Sequence, residues 1–199
     1  MASAAILAGG RATRFGGRDK SAIVLEGQSI LARQVAELVQ LTDDILLVGS
    51  RDDVPPFPGV RRVPDRVADA GPMGGLDAAL RAARDDVLIL LACDMPFPAK
   101  GLLAHLVQLA ADVDIVVPRT ERGYHPLCAV YTRACLPALA RRLERSELRM
   151  IGLFDDVRVR VVEKRELERF GDTARLVANV NTPAEFDELE SLLGHNLKS

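Results

Sequence analysis

Residues suited to chemistry cluster first between Leu7 and Lys20, in the string LAGGRATRFGGRDK. Glycine lacks a Cβ, so Gly9-Gly10 let backbone N–H groups approach a ligand closely, and Gly16-Gly17 shape the return of the loop. Phosphate is the natural ligand for such a loop. Arg14 can fork across two phosphate oxygens, and Lys20 supplies a point charge at the end of the loop. Between Arg11 and Lys20 the basic side chains Arg11, Arg14, Arg18 and Lys20 face only Asp19 as a counter-charge, which favours a small anion. The string is not a P-loop, because glycine would be needed where Asp19 stands, and it lacks G-x-G-x-x-G. A glycine-rich turn with solvated arginines is the plain alternative to a phosphate loop.

The second chemical position is Asp94, which follows the most apolar run of the chain, Val87 to Ala92 (VLILLA). A carboxylate at the C-terminal end of a strand stands where open α/β sheets bind ligands. There it suits Mg²⁺, whose remaining ligands would be triphosphate oxygens and water. A capping role in the turn before Pro96 competes with this reading.

These positions need a scaffold. Short apolar runs at Ala4 to Leu7, Ile45 to Val48, Val87 to Ala92 and Ile115 to Val117 read as strands. Between them, Ile30 to Leu41, Leu76 to Ala83, Leu102 to Ala110 and Leu136 to Leu143 space their apolar residues by three and four, as amphipathic helices do. The alternation predicts an α/β fold, and the unbroken apolar VLILLA run predicts a central strand covered on both faces of a parallel sheet. Thr182-Pro183-Ala184-Glu185 has the capping signals of a final helix. Arg51 to Gly71, with prolines at 55, 56, 58 and 64, reads as the longest irregular stretch. No linker divides the chain, so residues 1–199 read as one domain.

The formal charge of −2 gives no general reason to expect nucleic acid or an anionic membrane as partner. No apolar run approaches the length of a membrane span, and the N-terminus lacks a basic export signal. Cys93, Cys128 and Cys135 are odd in number and lie in apolar surroundings, which suits reduced core thiols and a cytoplasmic location.

The string LAGG-x-x-x-R-F-G-G-x-D-K resembles the signature of nucleotidyltransferases of the molybdenum cofactor guanylyltransferase type (MobA-like), close to LAGGxxxRMGGxDK, with Phe15 in place of methionine. The resemblance continues in order. Gly71-Pro72-Met73-Gly74-Gly75 is similar to the family's GPLAG or GPLGG turn, Cys93-Asp94-Met95-Pro96 to its CDMP, His125-Pro126 to its HP, and Asn179-Val180-Asn181-Thr182-Pro183 to its NVNTP. It implies a three-layer Rossmann-like nucleotidyltransferase fold with a mostly parallel sheet. It also implies transfer of GMP from GTP to the phosphate of molybdopterin cofactor, with Mg²⁺ as cofactor and pyrophosphate as leaving group.

The resemblance carries Leu7, Ala8, Gly9, Gly10, Lys20, Asp65 and Asp94 into the nucleotide site, with Arg14, Lys20 and Asp94 as the catalytic set and Asp94 on the metal. A lone loop aspartate such as Asp65 is also commonly a solvated turn residue. His125, Arg149, Asn179 and Asn181 fall in positions suited to the acceptor, and Asn181 is a candidate to complete the metal site. Only part of the family's basic pair is present, since Leu148 precedes Arg149. Gly9-Gly10 matches the guanylyl branch, whereas cytidylyl relatives usually read LAAG. Val48, where some guanylyltransferases have asparagine, cannot address a base through its side chain. A cytidylyltransferase and a nucleotide-binding module without chemistry are the rival readings. Expected partners are the two substrates and transient contacts with proteins that deliver the cofactor or mature molybdoenzymes.

Overall fold

Strand β6 (Val87–Ala92) shows how the sequence makes its layers. Side chains alternate across a strand, and in β6 Leu88 and Leu90 enter one buried cluster while Ile89 and Leu91 enter another. Neither set could face water, so both faces must be covered. Strands β1 (Ser3–Leu7) and β4 (Ile45–Val48) divide in the same way, Ile6 and Leu47 going to one cluster and Leu7 and Val48 to the other.

The computed structural model describes residues 1–8, 24–25, 27–49, 57–67, 69–180, 184–185 and 188. The predicted helix start at Thr182-Pro183 lies outside them. One face of the sheet is covered by α1 (Ile30–Leu38) and α3 (Lys100–Gln108). Leu31, Val35 and Leu38, spaced by four and three, bury the inner face of α1, and Leu102, Leu103 and Leu106 do so for α3. Ser29 starts α1 by accepting a hydrogen bond from the Ala32 N–H, which satisfies a donor the helix itself leaves open. The other face is covered by α2 (Gly71–Ala82) and α4 (Leu136–Glu144), through Met73, Leu76 and Leu80 from the first and Ala138 and Leu139 from the second.

The short strands β2 (Val24–Leu25) and β3 (Gln28–Ser29) pair with each other. The main sheet adds β5 (Val60–Val63), β7 (Ile115–Thr120), β8 (Gly123–Tyr124), β9 (Cys128–Thr132) and β10 (Val159–Val162). Its order is β10-β7-β9-β6-β1-β4-β5, with β8 paired to β7. β6 is therefore central, as its apolar run predicts. β1 pairs in parallel with β4 and β6, β4 with β5, and β7 with β10. β9 alone of these longer strands runs against its neighbours β6 and β7, because β8 folds back on β7 and Gly123, at φ 104°, supplies the left-handed turn residue. Two short helices, α5 (Lys164–Leu167) and α6 (Thr173–Leu176), complete the α1 and α3 face through Leu167 and Leu176.

Two expectations change. Arg51 to Gly71 is not irregular throughout, since β5 lies within it, with a burial pattern too exposed at Arg61 and Arg62 to read as a core strand. Gly71-Pro72-Met73-Gly74-Gly75 is not a turn but the first turns of α2, Pro72 fitting where an N–H would lack a partner anyway. The glycines serve close packing: a Cβ on Gly75 would stand 3.0 Å from Leu7 Cδ2, and one on Gly74 2.7 Å from Ala70 Cβ.

Candidate active site

The C-terminal ends of β1, β4, β5, β6 and β7 lie along one edge of the sheet, and antiparallel β9 begins there. That register brings together residues far apart in sequence. Leu7 and Ala8 close β1, Gly49 follows β4, Asp65 follows β5, Asp94 follows β6, and His125 precedes β9. Gly9, Gly10, Arg14, Lys20 and Asn181 lie outside the described residues.

The turn bearing Asp94 is fixed by its backbone. The Cys93 N–H donates to Leu7 O (3.1 Å), the Met95 N–H to Ala92 O (3.2 Å), and the Val180 N–H to Asp94 O (2.9 Å). The last bond ties the NVNTP segment to the CDMP turn, so two motifs whose bonded residues stand 86 positions apart (94 and 180) meet at one point. Asp94 is half-buried there. Among the described residues no three His, Cys, Asp or Glu side chains gather into a self-sufficient metal site. A single carboxylate at this strand end fits a divalent cation that takes its remaining ligands from substrate phosphate oxygens and water.

Asp65 packs over the end of β4. A Cβ on Gly49 would stand 2.8 Å from Asp65 Oδ2, and Gly49 has φ +68°, a left-handed conformation. The Gly49 N–H donates to Val63 O (3.0 Å), which locks the two strand ends together. Burial pushes the Asp65 carboxyl above its ordinary range. Gly49→Ala is expected to cost about 1–2 kcal/mol from backbone strain alone, and to displace Asp65. Chemical denaturation checks this: a variant as stable as the parent would show that neither the left-handed backbone nor the Asp65 contact is strained by a Cβ at Gly49.

His125 is half-buried, with Nε2 2.8 Å from Thr120 Oγ1 and its backbone N–H donating to Pro118 O. Burial first, and the Arg122 charge second, push its imidazole below the ordinary histidine range, favouring the neutral ring at pH 7. Beside this edge opens a groove of about 1280 Å³ whose lining includes Phe97, Lys100, Arg122, Arg175 and Asn179. The Arg175 guanidinium lies 4.5 Å from the Phe97 ring centre. Phe97, Lys100 and Arg175 carry no motif that sequence reading could single out; their proximity arises only from folding. Arg149 does not join this group. It is exposed at the start of the 3-10 turn Met150–Asp155, which packs into the core on the α2 and α4 side.

A doubly covered, mostly parallel sheet with loop residues gathered at one edge is the architecture of a nucleotide-handling α/β protein. The chain belongs to the family of MobA-like NTP transferase domains, whose model matches residues 4–159. A relative from Pelotomaculum thermopropionicum, named "Probable molybdenum cofactor guanylyltransferase", is 31% identical over 93% of this chain and 90% of its own length. A relative from Desulfosudis oleivorans, named "Molybdenum cofactor guanylyltransferase", is 29% identical over 94% of both chains. The fold matches the crystal structure of molybdopterin-guanine dinucleotide biosynthesis protein A from Archaeoglobus fulgidus, with TM-score 0.79 and 22% identity over 98% of this chain and 100% of that one.

Proposed function

We propose that the protein transfers GMP from GTP to the phosphate of molybdopterin cofactor, forming molybdopterin guanine dinucleotide and releasing pyrophosphate. The observation that carries this reading is the convergence of Leu7, Asp65 and Asp94 on one sheet edge beside the groove. The near full-length similarity to relatives named for this reaction supports it.

In the transfer, an oxygen of the acceptor phosphate forms a bond to the α-phosphorus of GTP while the bond to the bridging oxygen of pyrophosphate breaks. No protein nucleophile is needed, so the work is alignment and charge neutralisation. Gly9 and Gly10 bring backbone N–H groups to the nucleotide, and Arg14 and Lys20 offset charge on the transferring and leaving oxygens. Asp94 would hold Mg²⁺, which supplies Lewis-acid stabilisation of phosphoryl oxygens when bound. The groove is the seat for the acceptor. Phe97 and Arg175 suit a flat pterin, Lys100 and Arg122 its phosphate, and Asn179 its polar ring atoms. His125, as a neutral ring, serves as a hydrogen-bonding group rather than a cation. Asn181 is assigned to the acceptor or metal by family resemblance alone, and Arg149, which stands away from the groove, is left out of the acceptor seat.

The protein is assigned to the cytoplasm. The buried cysteines Cys93, Cys128 and Cys135 suit a reducing compartment, and burial pushes the Cys128 and Cys135 thiols up to about 12, so these two are poor nucleophiles. Among the described residues no helix is long and apolar enough to cross a membrane.

The experiment that tests the base is a thermal melt with GTP, CTP, ATP or UTP in the presence of Mg²⁺. GTP alone is expected to raise the melting temperature, since ligand at a hundredfold excess over its Kd adds about 2.7 kcal/mol. Equal stabilisation by CTP would overturn the guanylyl assignment. Pyrophosphate release should further require both GTP and molybdopterin.

A further inference from the structure

We infer that Gln34, on the inner face of α1, is a positioning residue for Asp94. Its side chain is fully buried. Its Nε2 donates to Ala92 O at 2.7 Å and to Met95 O at 2.9 Å. These two carbonyls bracket Cys93-Asp94, so one amide nitrogen staples the turn on both sides of the carboxylate. The orientation is unambiguous, because the reverse amide would set its oxygen against two carbonyl oxygens. Oε1 is buried with no hydrogen-bond donor among the described residues, so those two carbonyls determine where the amide sits.

Bonds from the sheet edge and from Val180 also reach the turn. Gln34 adds a contact from the helical layer, and it reaches 58 and 61 positions along the chain. Removing it leaves the Met95 carbonyl, in a residue only 5% exposed, without this donor, and frees the turn to shift. A carboxylate that shares its metal with substrate phosphates depends on such support, since outer partners of metal ligands typically control affinity by about 10- to 100-fold.

This inference rests on Asp94 as the metal-holding carboxylate, and one set of measurements tests the two separately. Gln34→Met keeps length and volume but cannot donate. In thermal melts with GTP, the Mg²⁺ concentration giving half-maximal stabilisation is expected to rise about 10- to 100-fold. Leu38→Ala, one turn along the same helix, should lower the melting temperature yet keep the parent Mg²⁺ midpoint. Asp94→Asn should lose the Mg²⁺-dependent stabilisation altogether. A parent midpoint in Gln34→Met, or an equal shift in Leu38→Ala, overturns the role of Gln34 while leaving Asp94 in place. Persistence of the Mg²⁺ effect in Asp94→Asn overturns the reading beneath it. If Gln34→Met does not fold, Gln34→Asn, whose shorter amide cannot span both carbonyls, carries the same comparison.

Discussion

Asp94→Asn is expected to lower the rate of GMP transfer by on the order of 10²–10³, the loss typical when a group that stabilises transition-state charge is removed. The melting temperature is expected to move proportionally far less than the rate. The reason for the split lies in how the turn is held. Its fixed points are backbone groups: Cys93 N–H on Leu7 O, Met95 N–H on Ala92 O, and Val180 N–H on Asp94 O. None of these uses the carboxylate. Asparagine matches aspartate in size but carries no charge for a divalent cation. Pyrophosphate release under saturating GTP and molybdopterin, measured beside a thermal melt, reads both quantities. An unchanged rate would remove Asp94 from the catalytic set, while equal losses of rate and stability would make it a structural residue.

Much of this edge was legible in the sequence because strands and their termini leave local marks. VLILLA is apolar at every position, which only a strand buried on both faces requires, and the residue after such a strand is placed by that fact alone. Asp94 could therefore be singled out before any contact was known. Asp65 had no such mark. It follows β5, whose exposed Arg61 and Arg62 hide the strand, and its relation to Gly49 exists only because β4 and β5 pair in parallel. The GPMGG segment departs from its pattern for a physical reason: glycine-rich strings usually signal turns, but here Gly75 lets α2 approach Leu7 and Gly74 leaves room for Ala70 at the helix's own start. Antiparallel β9 was missed because its neighbours are chosen by tertiary pairing, not by pattern. Gln34 and the groove residues belong to the same class. A glutamine on the buried side of a helix reads as an interruption of periodicity until the carbonyls it meets are known.

Asp44→Ala is expected to cost about 3 kcal/mol, near the loss found when one member of a buried charged network is removed. For a chain of this size that corresponds to a fall in melting temperature of about 6–12 °C. Asp44 lies just before β4, at the sheet edge opposite the site, and is 1% exposed. Its Oδ2 accepts from Ser3 Oγ (2.7 Å) and the Arg84 N–H (2.9 Å), and its Oδ1 accepts from Arg61 Nε (3.0 Å) and Nη2 (2.7 Å). One carboxylate thus joins the start of β1, the chain after α2, and β5. Burial alone would push its carboxyl up, but the Arg84, Ser3 and Arg61 hydrogen bonds outweigh that and hold it below the ordinary carboxylate value of 3.8. A carboxyl whose folded value is lowered adds stability above its unfolded value and loses it as pH falls through the folded one. The stability gap between parent and Asp44→Ala should therefore be full at pH 7 and narrow below about pH 4, which urea melts at several pH values will read. GTP binding by the folded variant should stay near that of the parent, because Asp44 and the nucleotide edge stand at opposite ends of β4. A gap that does not shrink on acidification would show that Asp44 acts through packing rather than through its charge.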